Sequence, residues 1–199
     1  MGRPQTWNEP DLLAAVMAVF REKGFSQTTL RDIGRATGLH PGSIYQAYGS
    51  KDGLFAATLR AYCERVVASR VQEHLVQSDD PVQGIRSFFH STFDERPRSR
   101  QGCLITNTAI EGFSLEPKAR SAVAAGLEAI ERGLEAALVR AQEHGQIAAS
   151  APVRRLAAQL LALYQGVLVL VRAGSARDKL TAITDDGLQS IITKKEPKR

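Results

Sequence analysis

The chain has 199 residues, enough for one large domain or for a small domain followed by a larger one. Its composition, 43% hydrophobic and 24% charged, is close to the average for globular proteins and excludes a wholly disordered chain. The net charge of +5 does not establish a polyanionic partner by itself, because residues 1–60 carry seven basic side chains against five acidic ones.

The cysteines and the hydropathy pattern favour a cytoplasmic protein. Cys63 and Cys103 lie far apart in the sequence, as expected for free thiols, and no amino-terminal segment combines a basic start, an apolar stretch and a small-residue cleavage site. The most apolar run, residues 156–171, is interrupted by two glutamines and a tyrosine and is shorter than the roughly 20 apolar residues that cross a bilayer. We interpret it as a buried helix and expect no membrane partner.

Helix signals begin near the amino terminus. Asn8 is a candidate N-cap, and Gly24 ends the helical apolar pattern that follows it. Thr29 and Asp32 have capping-box spacing at the start of a second, short helix, which Gly38 ends.

A third short helix can begin at Pro41, which suits the first helical position, and it ends before Gly49. Ser50 and Asp52 then cap a fourth, longer helix. Two short helices joined by a tight turn that contains glycine are typical of a helix-turn-helix. We therefore predict a helix-turn-helix DNA-binding domain over residues 1–50.

The rest of the chain also has helical periodicity. A helix opens at Pro81, a polar arginine-rich loop covers residues 94–101, and a short helix follows over residues 103–113. Pro117 opens a long helix that ends near residue 144, and two further helices cover residues 152–173 and 178–192. We find no strand pair or repeat. The prediction is an all-α fold in which residues 51–199 form a larger helical ligand-binding and dimerisation domain.

The third helix has the properties of a recognition helix for the DNA major groove. Ile44 and Tyr48 can pack inward, whereas the other face of the helix can meet base edges, and residues before the second helix and after the third can reach phosphates. Each residue alone is as easily a cap or a surface group, so only their arrangement carries weight. The candidate DNA-binding residues are Thr28, Thr29, Arg31, Gly42, Ser43, Tyr45, Gln46, Ala47, Tyr48 and Lys51.

Residues 25–55 read FSQTTLRDIGRATGLHPGSIYQAYGSKDGLF and resemble the amino-terminal domain of the TetR family of transcription regulators. The resemblance implies that Thr28, Thr29 and Lys51 touch phosphates and that Tyr45 touches backbone or base.

The segment departs from the family pattern at two positions. Pro41 stands where family members often have a lysine, and Ala47 stands where they often have a histidine. One phosphate contact and one groove contact are therefore in doubt. Ala47 can instead pack against a thymine methyl group.

Polar and aromatic residues on the apolar helices of the body suggest an effector site. Residues 102–111 resemble one branch of the family, some members of which respond to small reactive or organic compounds. Aromatic residues are more often core, and buried polar groups are often satisfied internally. Cys103 is either a small buried hydrophobe or an electrophile sensor, and Glu111 would favour a cationic ligand. The candidate ligand-binding residues are Phe89, Phe93, Cys103, Asn107, Glu111, Phe113, Tyr164 and Gln165.

Dimerisation is assigned to the last two helices. Apolar residues there exceed what one helix needs to face its own core, and a two-fold pair would form a four-helix bundle, as in TetR-like proteins. The residues that carry this expectation are Leu156, Leu160, Leu163, Val167 and Val171.

Other functional classes find little support. The sequence has no Walker loop, dinucleotide glycine motif, nucleophile elbow or His-Glu-x-x-His pair, and its histidines are not at metal-ligand spacing. An architectural DNA protein would need a strongly basic stripe. We expect no cofactor, no metal and no enzyme activity. The predicted function is a homodimeric repressor released from double-stranded operator DNA by a small-molecule effector; the alternative is a helical small-molecule-binding protein or enzyme.

Overall fold

The computed structural model describes residues 7–94, 102–111 and 116–192, and within these ranges the chain forms helices and no strand. The expected all-α fold is confirmed. The fourth helix continues from Tyr62 to Val76 through two π-helical stretches, Cys63–Val67 and Val71–Val76, and we call this whole rod α4. The helices are α1 (Glu9–Lys23), α2 (Leu30–Thr37), α3 (Pro41–Tyr48), α4 (from Lys51), α5 (Pro81–His90), α6 (Leu104–Glu111), α7 (Pro117–Glu143), α8 (Val153–Arg172) and α9 (Arg177–Ile192).

The short helices of the amino-terminal head are fixed by local capping. Thr29 and Asp32 form the predicted capping box at the start of α2, and Gly38 ends that helix in the left-handed conformation with φ of 71°. The Ser50 side chain caps α4 by accepting a backbone N–H. Asn8 occupies the N-cap position of α1 but makes no side-chain cap hydrogen bond.

An aromatic cluster holds the head together. The ring of Phe55 on α4 lies 4.6 Å from both Phe20 on α1 and Phe25 in the loop after it, measured between ring centroids. Because α4 packs on α1 and α3 and also on α7, it belongs to both the head and the body. The boundary at residues 50/51 coincides with the start of α4, and it remains a prediction.

The body is built around α7, which packs against α4, α5, α6 and α8. Two glycines on α7 permit a close approach to α4. A Cβ at Gly133 would lie 2.8 Å from the Val71 side chain, and one at Gly126 would lie 3.0 Å from Cys63 Sγ. Larger residues at these positions would push the two helices apart.

Burial on α8 corrects the assignment of some of its apolar residues to a dimer face. Leu160 and Val167 are fully buried and Val171 is 4% exposed, so these three residues belong to the protomer core and not to a dimer face. Val169, on the opposite side, is 41% exposed. Among the described residues α8 is the one helix long and apolar enough, by length and composition, to cross a membrane, yet only 28% of that stretch is buried within the protomer.

Candidate DNA interface and effector cavity

The face of α3 predicted to meet DNA lies on the surface of the head. Ile44 points into the core and is 1% exposed, whereas Tyr45 is 53% exposed and Gln46 is also exposed. Gly42 is exposed and donates its backbone N–H to Nδ1 of His40 at 3.2 Å, which fixes the start of the helix. The outer face of α3 is therefore available to a partner.

Four further predicted residues of α2 and α3 differ in what they can offer. Arg31 is exposed on α2, and Ala47 is half-buried, as is Ser43. Tyr48 is half-buried, and its hydroxyl donates to Oε1 of Glu9 at 3.2 Å. Tyr48 thus anchors the end of α3 to the start of α1, which leaves its hydroxyl engaged within the head.

The loop between α1 and α2 uses the groups that were expected to reach phosphates. Thr28 is 1% exposed, and its hydroxyl donates to the Gly24 carbonyl at 2.6 Å. Lys51 Nζ donates to the carbonyls of Phe25 and Thr28, both at 2.9 Å, and lies 4.2 Å above the centre of the Phe25 ring. An ammonium has three N–H groups, so one remains for a phosphate. Thr29 stays exposed beside the α2 amino terminus.

The carboxylate of Asp32 compensates the positive end of α2. Hydrogen bonds from Lys23 Nζ at 2.7 Å and from Thr29 hold the pKa of Asp32 well below its usual value. The side chain therefore stays ionised, which suits a helix amino terminus. Arg35 is exposed one turn further along the helix.

Side chains of the body hold the carboxyl-terminal end of α1. Arg172, at the end of α8, donates to the carbonyls of Arg21 and Glu22, both at 2.8 Å. These carbonyls belong to the last turn of α1, where backbone carbonyls have no hydrogen-bond donor within the helix. The Arg21 guanidinium in turn donates to the Gly102 carbonyl, from Nη2 at 2.7 Å and from Nε at 3.2 Å.

Glu111 forms a second tie between body and head. Its carboxylate accepts hydrogen bonds from the backbone N–H of Phe25 at 3.0 Å, from the backbone N–H of Ser26 at 2.9 Å and from the Ser26 hydroxyl at 2.9 Å. The Glu111 carboxylate is therefore directed at the head in this structure, and its role in effector binding stays a prediction. Helix α6 is thus bracketed by contacts to α1 at Gly102 and to the α1–α2 loop at Glu111.

A cavity of about 270 Å³ lies behind this junction. Its walls come from α1, α4, the end of α5, the segment before α6, and α8. The lining residues are Arg21, Tyr62, Val66, Arg70, Glu73, His74, Ser91, Thr92, Gly102, Cys103 and Leu168. The α4 part of the wall follows the π-helical stretches, a feature that frequently marks functional sites.

Two tyrosines beside the cavity stay protonated. Burial raises the pKa of Tyr62 and of Tyr164 well above the usual value. The Tyr62 hydroxyl donates to Sγ of Cys103 at 3.4 Å, and Tyr164 stacks on Phe88 with ring centroids 4.7 Å apart. A small inner space of about 10 Å³ separates these groups, so the wall is densely packed there.

The cavity contains only part of the predicted effector set. Cys103 lines the main cavity and Tyr164 lines the inner space. Phe89 is fully buried and Phe93 is 9% exposed, and both serve as core residues. Phe113 lies outside the described residues.

The predicted amides occupy positions outside the cavity wall. Oε1 of Gln165 on α8 accepts a hydrogen bond from the Thr106 hydroxyl on α6 at 2.7 Å, while its Nε2 is buried with no hydrogen-bond partner among the described residues. Asn107 is half-buried, with its Oδ1 close to Gly102. The Thr106–Gln165 pair joins α6 to α8 next to the cavity.

Most residues that line the cavity were not predicted from the sequence. Tyr62, Val66 and Arg70 recur every fourth residue on α4 and therefore share one face. That spacing was a usable signal. The contribution of Arg21 was not foreseeable, because it depends on a contact between the head and residue 102.

Two larger grooves lie far from the head. One of about 660 Å³ runs between α5 and α9, and one of about 790 Å³ lies between the loop before α8 and the end of α9. Neither includes a residue of α1–α4. The wall of the 270 Å³ cavity, by contrast, includes residues of both head and body.

Family profiles match both parts of the chain. Residues 12–58 match the profile described as bacterial regulatory proteins of the tetR family, and residues 81–186 match the profile of the tetracyclin repressor-like C-terminal domain. The transcriptional repressor ComR of Escherichia coli K12 is 26% identical over 94% of this chain and 90% of its own length. The repressor DhaR of Mycobacterium sp. GP1 is 26% identical over 81% of each chain.

Solved structures share the complete arrangement of helices. A cysteine mutant of the TetR-family regulator CifR, complexed with 26-base-pair double-strand operator DNA, superposes with a TM-score of 0.81, with 26% identity over 95% of this chain and 99% of that one. Reduced Escherichia coli NemR has a TM-score of 0.82 at 19% identity, over 94% and 98% of the two chains. This chain therefore belongs to the TetR family and is a helix-turn-helix transcriptional repressor that binds DNA, not an enzyme.

Proposed function

We propose that the protein is a cytoplasmic homodimeric repressor that leaves its operator when a small molecule enters the 270 Å³ cavity. The single observation that carries this proposal is the shared wall of that cavity. Arg21 of the head lines it and holds Gly102, and Cys103 of the body lines it one residue further on. A molecule in this cavity touches both the DNA-binding head and the helix that holds it.

The operator contact is proposed on the outer face of α3. Tyr45 and Gln46 are exposed there, and the third N–H of Lys51 has no hydrogen-bond acceptor among the described residues. The CifR complex with double-strand operator DNA, which has a similar fold, supports double-stranded DNA as the partner. Phosphate contacts would position the head, and the α3 side chains would read the bases.

The second copy is proposed to cover α8 and α9. On α8 the uncovered positions include Ala162, Gly166 and Val169, which recur at helical spacing, and nothing lies within 4 Å of a Cβ built at Gly166. An apolar face of this length needs a partner, and a two-fold copy supplies a complementary one. Two protomers would then form a four-helix bundle.

Release follows from the geometry of a dimer on DNA. Two recognition helices enter successive major grooves only if they sit about 34–36 Å apart or at a matching multiple. An effector that prefers the splayed state by about 1–3 kcal/mol loosens the operator roughly 5–150-fold, and the operator weakens effector binding by the same factor.

The test is a selection of genomic fragments by the purified protein, followed by fluorescence anisotropy on the shortest fragment bound. We expect binding at moderate salt and release by compounds small enough for the cavity. A protein that binds all DNA alike would contradict the proposal. Cys103→Ser against Cys63→Ser tests covalent sensing, since the chain has only these two cysteines.

Cys63 is the matched control because burial, and then the neighbouring Cys103, raises its pKa to about 11. Its thiol is therefore protonated near neutral pH and reacts slowly. Electrophile-driven release that is lost only in Cys103→Ser supports covalent sensing. Release that survives in both variants assigns the response to non-covalent binding.

A further inference from the structure

We propose that the effector is a small carboxylate, held in the cavity between the guanidinium groups of Arg21 and Arg70. This inference rests on the proposed function and names the ligand class of the same cavity. It reverses the charge expected from Glu111, whose carboxylate is used at the junction with the head.

Arg21 has donors to spare. Its Nε and Nη2 both donate to one oxygen, the Gly102 carbonyl, so a single acceptor takes two of its five N–H groups. A carboxylate offers two oxygens in the fork geometry that a guanidinium recognises best. Because Arg21 lines the cavity, a carboxylate that binds the Nε–Nη2 edge competes directly with the single Gly102 oxygen now held there.

Arg70 faces the same cavity from α4. Its Nη2 donates to the Phe88 carbonyl at 3.0 Å and to the Ser91 hydroxyl at 2.7 Å, and its guanidinium lies 5.2 Å from the centre of the Phe88 ring. These contacts hold the group in place at the cavity wall. A fixed guanidinium loses little conformational entropy on binding an anion.

The remaining charges leave a positive excess. Among the described residues of the wall, Glu73 is the one carboxylate, and it is exposed, whereas Arg21 and Arg70 are both half-buried. Charges interact more strongly where water is partly excluded than at an exposed rim. The inner wall formed by Val66 and Leu168 is apolar, which favours a carboxylate with a hydrocarbon body.

The same geometry explains how binding would reach the DNA-binding head. Arg21 is the last but two residue of α1, and Arg172 holds the carbonyl of this same residue. When a carboxylate draws the guanidinium from Gly102, the tie between α1 and the segment before α6 is weakened. The effector therefore acts on the head by direct contact.

The experiment measures thermal stabilisation of the full-length protein by benzoate and by hexanoate, each against its uncharged amide. We expect both carboxylates to raise Tm and the amides to raise it much less. Arg70→Gln should weaken carboxylate binding about tenfold or more, the effect of losing one charge-assisted hydrogen bond. Arg132→Gln, on the exposed face of α7, removes the same charge and should change nothing.

Variants of Arg70 and Arg21 distinguish binding of the carboxylate from its effect on operator affinity. Arg70→Gln should keep the operator affinity of the parent and lose release by benzoate, whereas Arg21→Gln should change both. No stabilisation by either carboxylate, equal stabilisation by the amides, or an unchanged benzoate response in Arg70→Gln and Arg21→Gln would overturn the proposal. Failure to bind any operator would refute the proposed function alone, because the Tm measurement needs no DNA.

Discussion

The head and the body of this protein place their polar side chains differently. In the head, the exposed Tyr45 and Gln46 lie on the outside of α3, and the interior is a cluster of phenylalanines. Where the body meets the head, Arg70 of α4 and Arg21 of α1 line a half-open cavity next to the buried Tyr62 and Cys103. The head is organised to meet a large partner at its surface, and the body to enclose a small one.

The comparison also shows where the two parts are joined. The α1–α2 loop receives Lys51 from the head and Glu111 from the body, so its backbone carbonyls and N–H groups are held from both sides. A shift of α6 changes the position of Glu111 and therefore of this loop.

The largest effect is expected at the proposed dimer surface of α8. Val169→Glu places a charge at an exposed apolar position of α8. We expect monomers at micromolar concentration in sedimentation, and operator binding weaker by about 100-fold or more, because two linked heads gain from their effective concentration. The burial of an unpaired charge in the interface is the cause.

Val139→Glu is the matched control for the dimer prediction. Val139 is 39% exposed on α7 and receives the same substitution outside the proposed interface. A dimer that persists in Val169→Glu, or one that is lost equally in both variants, would refute the assignment to α8 and α9.

The next effect concerns the reading face of the head. Tyr45→Ala should weaken operator binding about tenfold, since a 53% exposed tyrosine on α3 can contact backbone or base without supporting the core. Circular dichroism should be unchanged. Tyr48→Phe is the control, because the hydroxyl that it removes already donates to Glu9 within the head. Equal losses in the two variants would show that the wrong face was assigned.

Much of the head could be predicted from the sequence because its signals are local. The capping box of Thr29 and Asp32 and the left-handed Gly38 act within a few residues of their own positions. The side-chain contacts of the same region were not foreseen. Thr28 and Lys51 fit a phosphate-binding pattern, yet their hydroxyl and ammonium groups bond to carbonyls of the loop.

The helices of the body were predicted, but most residues of its cavity wall were not, since the cavity depends on contacts between distant residues. Glu111 is 86 positions from Phe25, and Arg21 is 81 from Gly102. Nothing in the helical periodicity sets those distances. The α8 residues show the same limit, because Leu160 and Val169 are both apolar and only packing decides which one faces the core.

A smaller effect is expected from Lys51, where stability and DNA contact are measured separately. Lys51→Met should lower the free energy of unfolding by about 1–2 kcal/mol, because it removes charge-assisted hydrogen bonds to the Phe25 and Thr28 carbonyls. If the third N–H of the parent also contacts a phosphate, the variant's slope of log binding constant against log salt concentration becomes shallower by about 1. Lys118→Met, at an exposed position of α7, should leave both quantities unchanged.

The smallest effect is expected at the tie between Glu111 and the head. Glu111→Gln keeps one acceptor oxygen but replaces the other with an N–H₂ group, which cannot accept from Ser26. We expect the free energy of unfolding to fall by about 1 kcal/mol, because water can reach this exposed hydrogen bond. Ser26→Ala removes the hydroxyl contact alone and should cost less.

The double variant decides whether this tie carries a signal. If Glu111 acts on the loop through Ser26, the losses in unfolding free energy caused by Glu111→Gln and Ser26→Ala will not add in the double variant. Both single variants will also reduce the factor by which the effector lowers operator affinity. Purely additive losses with an unchanged ratio would make the tie a static contact. The head would then receive its signal through other contacts, among which the hydrogen bonds of Arg21 to Gly102 lie in the cavity wall.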